Sequence, residues 1–284
     1  MVYKKAHSID DALAFLGEAG DSALILAGGT DVMAGLNGKP SPDKTVIYIG
    51  DIPELKGIRE TEESVRIGSL VTAAEIEDSD IVAKYAAALS EAAKESAGPQ
   101  VRNRATIGGN IGTASPAGDL LCALFALNAS VVIAGSKSIR GISEVVTGVK
   151  KTSLKPGEFI TEIIIPKMPA AYGSAFHKIG KRKAMTISIA SAACAVSLGS
   201  GDCIEDIRIA IGAAAPTVVR AAALEKLLKG SAFAESDITE KSKLAADAIS
   251  PITDQRATSW YRREVAPVLT AMAVMAAINA AKGS

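Results

Sequence analysis

The sequence predicts an α+β fold whose first half carries two glycine-rich turns and whose second half is an antiparallel sheet with helices. Three observations predict this class. Short β-branched runs such as "TVIYIG" and "GEFITEIIIP" are typical of strands. An alanine-rich run between two such strands is typical of a helix. The segment "KMPAAYG", rich in proline and small residues, marks a boundary between the two halves.

The first elements carry clear start and stop signals. Ser8, with Asp11 three residues later, predicts the N-cap of a helix that Gly20 can end. The run "SALILAGGTDVMAGL" predicts a strand, a glycine turn and a new short helix. Strands are then predicted at "TVIYIG" and "SVRIGSL".

The middle of the chain predicts helices around the second glycine turn. One helix is predicted from about Thr72 to Ser96, followed by the glycine-rich stretch "ATIGGNIGTASPAGDL". The run "LLCALFALNASVVIAG" then predicts an apolar helix that stops at Asn128 and continues into a strand. "GEFITEIIIP" predicts a strand that leaves its sheet at the proline.

After the boundary the pattern changes to antiparallel strands. They are predicted at "AFHKIGKR", "ISIASAACAVSL" and "IEDIRIAIGAA", and the chain from about Val218 onward is predicted to be helical.

Composition excludes several classes of function. Lys plus Arg and Asp plus Glu both total 31 in 284 residues, so the chain lacks the basic field that binding of nucleic acid or acidic membranes requires. Three cysteines without a CxxC spacing argue against a disulfide framework, a zinc site or a complete iron–sulfur ligand set. With only two histidines, a histidine-rich metal site is excluded and a Ser-His-Asp triad is disfavoured.

The sequence predicts a cytoplasmic protein with reduced cysteines. The N-terminal "MVYKKAHSIDDAL" has no apolar run behind its lysines and is therefore not a secretory signal. The run "VAPVLTAMAVMAAINAA" is short for a membrane span and contains polar residues, so it is interpreted as a buried helix near the C-terminus.

Two glycine turns carry the chemistry that the sequence suggests. Glycine lets a ligand approach the backbone, and consecutive turn amides can bind an anion. The turns Ala27–Asp31 and Thr106–Asn110, facing each other, would form a pyrophosphate cradle. Hydroxyls of Thr30, Thr106 and Thr113 could donate to phosphate. Neither turn fits GxGxxG or a P-loop, and each alone could equally be an ordinary turn.

Four motifs in order resemble one known family. They are "AGGTDVM", "ATIGGNIGTASPAGDLLCALFALNA", "GEFITEIIIP" and "AFHKIGKRKAMTISIASAACAV". Together they resemble the FAD-binding subunit, or middle domain, of the molybdenum hydroxylases, the group of xanthine dehydrogenase, carbon monoxide dehydrogenase and nicotinate dehydrogenase. "ISPITDQRATSWYRREVAPVL" is similar to that family's C-terminal module, so the resemblance covers nearly the whole chain.

The resemblance implies a two-part FAD-binding fold of the vanillyl-alcohol-oxidase (PCMH) type followed by a C-terminal three-stranded antiparallel sheet with helices. The domains implied are residues 1–55, 56–168 and 169–284. Carried over by motif, the FAD-binding residues are Ile25, Leu26, Ala27, Gly28, Gly29, Thr30, Asp31, Val32, Thr106, Gly108, Gly109, Asn110, Thr113, Asp119, Ile160 and Lys178. Ile160 would pack on the flavin rings, and Lys178 would lie near their polar edge.

Structural alternatives stay open for three of these residues. Asp119 could only cap the helix that follows it, Ile160 could be strand core, and Lys178 could be a solvated charge at a strand end. The motif residues Asp254, Arg256, Tyr261 and Arg262 are interpreted as a folding and docking network.

The chain departs from the family at two points. Many relatives have an acidic residue where this chain reads Lys183–Thr186, which leaves the electrostatics beside the flavin open. Some relatives carry four cysteines for an additional iron–sulfur cluster, and this chain, with three scattered cysteines, cannot. Flavin is therefore expected to be its only redox centre, with no metal ligand and no catalytic acid, base or nucleophile of its own.

The function implied is that of an electron-transfer subunit in a heterooligomeric complex. A partner with [2Fe-2S] clusters would deliver electrons from a large molybdenum subunit, and this chain would pass them from FAD to NAD(P) or another acceptor. The alternatives are a self-contained flavin-dependent reductase of the same broad fold and a flavin-less nucleotide-binding module. The substrate would be bound by another chain, so the sequence does not identify it.

Overall fold

The N-terminal segment forms a small parallel sheet with a helix packed on it. The computed structural model describes residues 1–36, 43–169, 171–232 and 234–283. The elements of this segment are β1 (Val2–Lys5), α1 (Ile9–Ala19), β2 (Ala23–Leu26), α2 (Val32–Leu36) and β3 (Thr45–Tyr48). Both outer strands pair in parallel with the last one, in the order β1-β3-β2.

The predicted boundaries of the first helix are confirmed. The Ser8 hydroxyl accepts a hydrogen bond from the Asp11 amide at 3.0 Å, which satisfies one free donor of the first turn. Gly20 follows the helix with φ +52°, a conformation that costs glycine little. The strand, glycine turn and short helix predicted for "SALILAGGTDVMAGL" are also present as β2, residues 27–31 and α2.

The middle segment surrounds an antiparallel sheet with short helices. Its five-stranded sheet has the order β4-β5-β10-β6-β7, and β8 and β9 form a separate two-stranded ladder. The elements are β4 (Ile58–Glu60), β5 (Ser64–Gly68), α3 (Ala73–Glu77), α4 (Asp80–Tyr85), α5 (Ala87–Glu95), α6 (Pro99–Arg102), α7 (Ile107–Thr113), α8 (Asp119–Ala126), β6 (Ser130–Ala134), β7 (Ser138–Gly141), α9 (Ile142–Val145), β8 (Val146–Gly148), β9 (Lys151–Thr152) and β10 (Phe159–Pro166).

The single helix predicted from Thr72 to Ser96 is wrong, because this stretch forms α3, α4 and α5. Ser79 caps α4 by accepting from the Val82 amide, which starts a new helix direction. Ala86, at φ −150°, breaks the chain again before α5. Alanine propensity alone gives no signal for these breaks, since tertiary packing decides where the short helices turn.

The C-terminal segment is an antiparallel sheet covered by a long helix. Its elements are β11 (Tyr172–Ile179), β12 (Ala190–Leu198), β13 (Ile204–Gly212), β14 (Val219–Arg220), α10 (Ala222–Leu228), α11 (Glu235–Lys241) and α12 (Ser259–Lys282). The strand order is β11-β12-β13-β14. The three predicted strands are present, and a fourth, two-residue strand lies at Val219–Arg220, where the sequence predicted helix.

The long helix α12 packs closely on the sheet. A Cβ added at Gly173 of β11 would lie 2.0 Å from the Ala277 carbonyl oxygen, so this glycine permits the contact between helix and strand. By length and hydropathy, α12 is the one helix of the described chain that could cross a membrane, but half of that stretch is buried against protein. A core helix passes the same criteria.

The buried apolar residues form three clusters, one in each segment. The middle cluster also contains Ala193, Ala195 and Ala210 from the C-terminal sheet, so the segments share core packing. The predicted domain limits after residues 55 and 168 stay a prediction.

Candidate functional site: a cleft between two glycine-rich segments

The first glycine segment connects β2 to α2 and leaves no room for side chains. A Cβ at Gly28 would lie 1.7 Å from the Arg104 carbonyl oxygen, because this backbone runs directly against the loop that precedes Thr106. Gly29 has φ +80°, which L-residues rarely adopt. Both glycines are therefore required by the local backbone.

This segment also has unused amide donors. In the described part of the chain, the backbone N–H groups of Gly28, Gly29, Thr30 and Asp31 donate no hydrogen bond to another group of the protein. Consecutive free amides in a turn attract anions such as phosphate. The sequence-based expectation of an anion-binding turn fits this geometry.

The second glycine segment is a helix and not the predicted turn. Thr106 caps α7, its hydroxyl accepting from the Gly109 amide at 3.1 Å. The Ile107 and Gly108 amides donate to the carbonyl oxygens of Val71 and Ser69, both at 2.9 Å. These amides are occupied by protein acceptors, so the predicted cradle of free amides on this side is wrong.

What α7 contributes instead is a surface without bulky side chains. A Cβ at Gly108 would lie 2.6 Å from Cβ of Ser69. Glycine at this position therefore lets α7 pack closely against the residue that follows β5. Gly112 has no heavy atom within 4 Å of its added Cβ and lines open space.

A cleft of about 1290 Å³ lies between the two glycine segments. It is larger than the 300–1,000 Å³ that is usual for drug-sized ligands, as a long cofactor would require. The two sides of the cleft are linked at one point, where the Thr113 hydroxyl donates a long hydrogen bond of 3.5 Å to Asp31 Oδ2. The predicted site residues that line it are Ile25, Ala27, Gly28, Gly29, Thr30, Asp31, Val32, Thr106, Gly108, Gly109, Asn110, Thr113, Asp119 and Ile160.

Leu26 and Lys178 are not among the lining residues. The Lys178 ammonium is buried and donates to Asp119 Oδ2 at 2.7 Å, to the Glu95 carbonyl at 2.8 Å and to the Thr186 carbonyl at 3.2 Å. All three of its donors are used, so Lys178 is not a solvated strand-end charge. It reaches the cleft only through Asp119.

Asp119 is buried at the first residue of α8 and does not act as its cap. Gly118 occupies the N-cap position, and the carboxylate instead accepts from Lys178 and, at 2.6 Å, from the Ser188 hydroxyl. Burial raises the pKa of Asp119 above its ordinary value, and the Lys178 ammonium and the Ser188 hydroxyl offset this only in part. Asp119 and Lys178 form a buried pair in the cleft wall, with side-chain exposures of 6% and 4%.

Ile160 is strand core, as one of its two alternatives predicted, and its packing on the flavin rings stays a prediction. It belongs to the buried core, at 6% exposure, and also lines the cleft. A β-bulge between Ile160 and Glu162 interrupts the pairing of β10 with β6 beside it.

The C-terminal segment supplies a further wall that sequence reasoning missed as part of the site. Asp254, Arg256 and Arg262 line the cleft, as do Ser188 and residues 213, 215 and 216. Arg262 donates to the carbonyls of Ile189 and Ala213 and to Asp254, as expected of a folding network. The motif had been recognised, but only tertiary structure brings it to the glycine segments.

The Asp254 carboxyl is strongly acidic. Burial raises its pKa, but hydrogen bonds from the Arg256 and Ala257 amides and the guanidinium of Arg262 outweigh that effect and hold the pKa at about 2. The Asp254 carboxyl in this wall is therefore ionised at neutral pH.

The residues present fit a phosphate-containing cofactor. The free amides at 28–31 can bind its oxygens, and Gly112, without a side chain, leaves the space beside α7 open. Two buried polar atoms of cleft-lining residues, Ser69 Oγ and Asn110 Oδ1, have no hydrogen-bond partner in the described chain. Such orphaned groups are rare in folded proteins, and a bound water or polar ligand is one way to satisfy them.

The cysteines take no part in this site. Cys122 and Cys194 are free and buried, and burial raises the pKa of Cys122 to about 12 and also raises that of Cys194. Both behave as small apolar side chains.

Two family models match the chain. The FAD binding domain in molybdopterin dehydrogenase matches residues 1–168, and the CO dehydrogenase flavoprotein C-terminal domain matches residues 175–277. Together they include every residue that lines the predicted FAD site.

Curated relatives and solved structures are similar over almost the full length. The carbon monoxide dehydrogenase medium chain of Hydrogenophaga pseudoflava is 34% identical over 97% of this chain and 96% of its own. The xanthine dehydrogenase FAD-binding subunit of Escherichia coli is 30% identical over 99% and 97%. A solved carbon monoxide dehydrogenase from H. pseudoflava superimposes with TM-score 0.91 at 34% identity, covering 98% of this chain and 96% of that one.

The cleft geometry, the two matched domains and these relatives agree with each other. The chain therefore belongs to the FAD-binding medium subunits of the xanthine dehydrogenase and carbon monoxide dehydrogenase family of molybdenum hydroxylases.

Proposed function

We propose that this chain is the electron-transfer subunit of a cytoplasmic heterooligomeric hydroxylase complex. Its partners are a [2Fe-2S] subunit, which delivers electrons, and a molybdopterin-containing large subunit, which oxidises the substrate. NAD(P) or another acceptor receives the electrons. The observation that carries the proposal is the cleft between the two glycine-rich segments, with its unused amides. The relatives' designations as medium chain and FAD-binding subunit support it.

Different residues of the cleft hold different parts of FAD. The amides of Gly28 to Asp31 bind the diphosphate, and α7 presents its glycine surface on the opposite side. Ile160 packs against the flavin rings, and Asp119, held by Lys178, fixes the polar wall. Bound FAD supplies the chemistry, since it can accept electrons singly and release them as a pair.

The finer fold assignment belongs to the same proposal. Residues 1–55 and 56–168 are the two parts of a vanillyl-alcohol-oxidase (PCMH) type fold, and residues 169–284 are the C-terminal domain. Support comes from the three larger sheets, one of which lies within each of these ranges.

The first test is the visible absorption spectrum of the purified chain. Chromophore released by heat denaturation is identified by chromatography as FAD or FMN, and FAD in about one copy per chain is the expected result. A folded chain that is colourless and takes up no added FAD would overturn the assignment of the cleft.

The second test addresses the complex. The chain is purified from its natural host through a tag on its C-terminus, and co-purifying subunits are analysed for molybdenum content and for the absorption of [2Fe-2S] clusters. Stoichiometric partners carrying both centres are expected. A flavin-loaded chain that reduces its own organic substrate in the absence of any partner would instead favour a self-contained reductase.

A further inference from the structure

Helix α5 covers the open edge of the C-terminal sheet. Strand β11 pairs with β12 on one side only, and on the other side it meets α5. The Ser174 hydroxyl accepts from the Ala88 amide at 3.1 Å, and the Phe176 amide donates to Glu91 Oε2 at 2.7 Å. Ser174 of β11 thus satisfies a backbone amide of α5, and Glu91 of α5 satisfies a backbone amide of β11.

A third bond continues the same pattern. The Lys178 ammonium donates to the Glu95 carbonyl at 2.8 Å. The bonds fall at every second residue of β11, at 174, 176 and 178, and about one per helical turn of α5, at 88, 91 and 95. These spacings match the natural repeats of a strand and a helix, so all three bonds form together in the observed register.

Each of the two elements supplies a hydrogen-bonding group that the other lacks. Helix α5 has no side-chain cap within its own sequence, since Ala86 precedes it, and Ser174 of β11 provides one. Phe176 is only 2% exposed, and among the described residues no strand lies on that side of β11 to accept its amide. Glu91 is that acceptor; the residue has exposed surface, but its carboxyl group is partly buried, and this burial raises its pKa.

The register of β11 decides where the Lys178 ammonium lies. Lys178 is two residues beyond Phe176, and besides Glu95 it binds Asp119 in the cleft wall at 2.7 Å. A shift of β11 along α5 would move the ammonium away from a buried carboxylate, whose other side-chain partner in the described ranges is Ser188.

We propose that Glu91 is a positioning residue for the FAD cleft, holding β11 in register on α5 so that the Lys178 ammonium reaches Asp119. Glu91 does not line the cleft and acts only through Lys178. This inference rests on the proposed placement of Asp119 in the FAD site.

The test measures the rate at which the full-length holoprotein releases FAD, followed as the rise in flavin fluorescence after dilution. Glu91→Leu removes the acceptor and is expected to speed release about tenfold. Glu91→Gln keeps an amide oxygen as acceptor and should behave like the wild type. Glu144→Leu is the matched control, because Glu144 also accepts a hydrogen bond from a backbone amide, that of Gly141, and does not line the cleft.

A double-mutant cycle with Lys178→Met separates positioning from general stability. If Glu91 acts through Lys178, Glu91→Leu should change release less than about twofold in the Lys178→Met background. Equal effects in both backgrounds, or wild-type release from Glu91→Leu, would overturn the inference. Should Glu91→Leu fail to fold, Glu91→Ala removes the same acceptor with a smaller side chain, with the same expected results.

The same experiment separates this inference from the proposed site. Wild-type release from Asp119→Asn would remove Asp119 from the FAD site and with it the proposed arrangement. Faster release from Asp119→Asn together with no effect of Glu91→Leu would leave that arrangement intact and overturn only the role of Glu91.

Discussion

At Gly28 a single methyl group decides whether the first glycine segment can form. Its added Cβ would meet a backbone oxygen at 1.7 Å, which no side-chain rotation relieves. Gly28→Ala is therefore expected to lower the free energy of unfolding by about 3 kcal/mol, the upper end for overpacking, and to weaken FAD binding. Urea denaturation and FAD titration measure both effects.

Gly35→Ala is the control for this change. Gly35 lies in α2, and no heavy atom of the described residues lies within 4 Å of its added Cβ, so alanine there should be neutral or stabilising by up to about 1 kcal/mol. If the Gly28 and Gly35 variants were equally stable, the close approach to Arg104 would not exist in solution.

Gly112 offers a way to block the cleft without disturbing the protein around it. Its added Cβ meets nothing within 4 Å, yet the residue lines the cleft. Gly112→Leu should keep the fold and weaken FAD binding at least about tenfold, since the side chain occupies the ligand's space. Gly17→Leu, at an equally open helical glycine in α1, should leave FAD affinity unchanged. Equal affinities for both variants would place FAD elsewhere.

At this scale the sequence could predict only those site residues that lie in contiguous segments. The glycine pairs and their threonines are local signals, since each shapes its own backbone. Ser69, Ser188 and Arg262 carry no such signal. They reach the cleft because a strand end, a loop and a distant helix meet there, and that meeting is tertiary.

At the scale of elements, α7 shows why local propensity misled the prediction. Glycine costs about 1 kcal/mol per residue in a helix, which favours a turn at Gly108 and Gly109. Hydrogen bonds from the first amides to Ser69 and Val71 and the cap at Thr106 outweigh this cost. Strands β3 and β10 were predictable, because β-branched runs and a terminal proline are strong local signals.

The Lys178–Asp119 pair joins β11 to α8 and should stabilise their packing measurably. Removing one partner leaves an uncompensated buried charge, so Lys178→Met should destabilise the apoprotein by about 3 kcal/mol. Lys178→Met with Asp119→Leu removes both charges and should recover part of that loss. Urea unfolding of the four apoproteins completes the cycle. Additive losses in the double variant would mean that the two groups do not interact.

At the scale of the whole molecule, Asp254 makes the free energy of unfolding depend on pH in the acid range. Its pKa is about 2 in the folded protein and 3.8 in the absence of its partners. The unfolded chain therefore takes up a proton first as the pH falls, and stability is lost between about pH 4 and pH 2. Asp254→Asn should be less stable at neutral pH and should show a shallower loss across that window. An unchanged pH profile in thermal unfolding would contradict this assignment.

FAD should stabilise the entire chain, because the cleft is built from all three segments. Gly28, Thr106 and Arg262 line it from the first, middle and last parts of the sequence. A ligand that binds only the folded state adds about 2.7 kcal/mol at a hundred times its Kd. We expect added FAD to raise the Tm of the wild type in a single transition, seen alike by flavin fluorescence and far-UV circular dichroism, and to leave Gly112→Leu nearly unchanged. A transition that splits on FAD addition, with one part unmoved, would show that one segment does not contribute to the site.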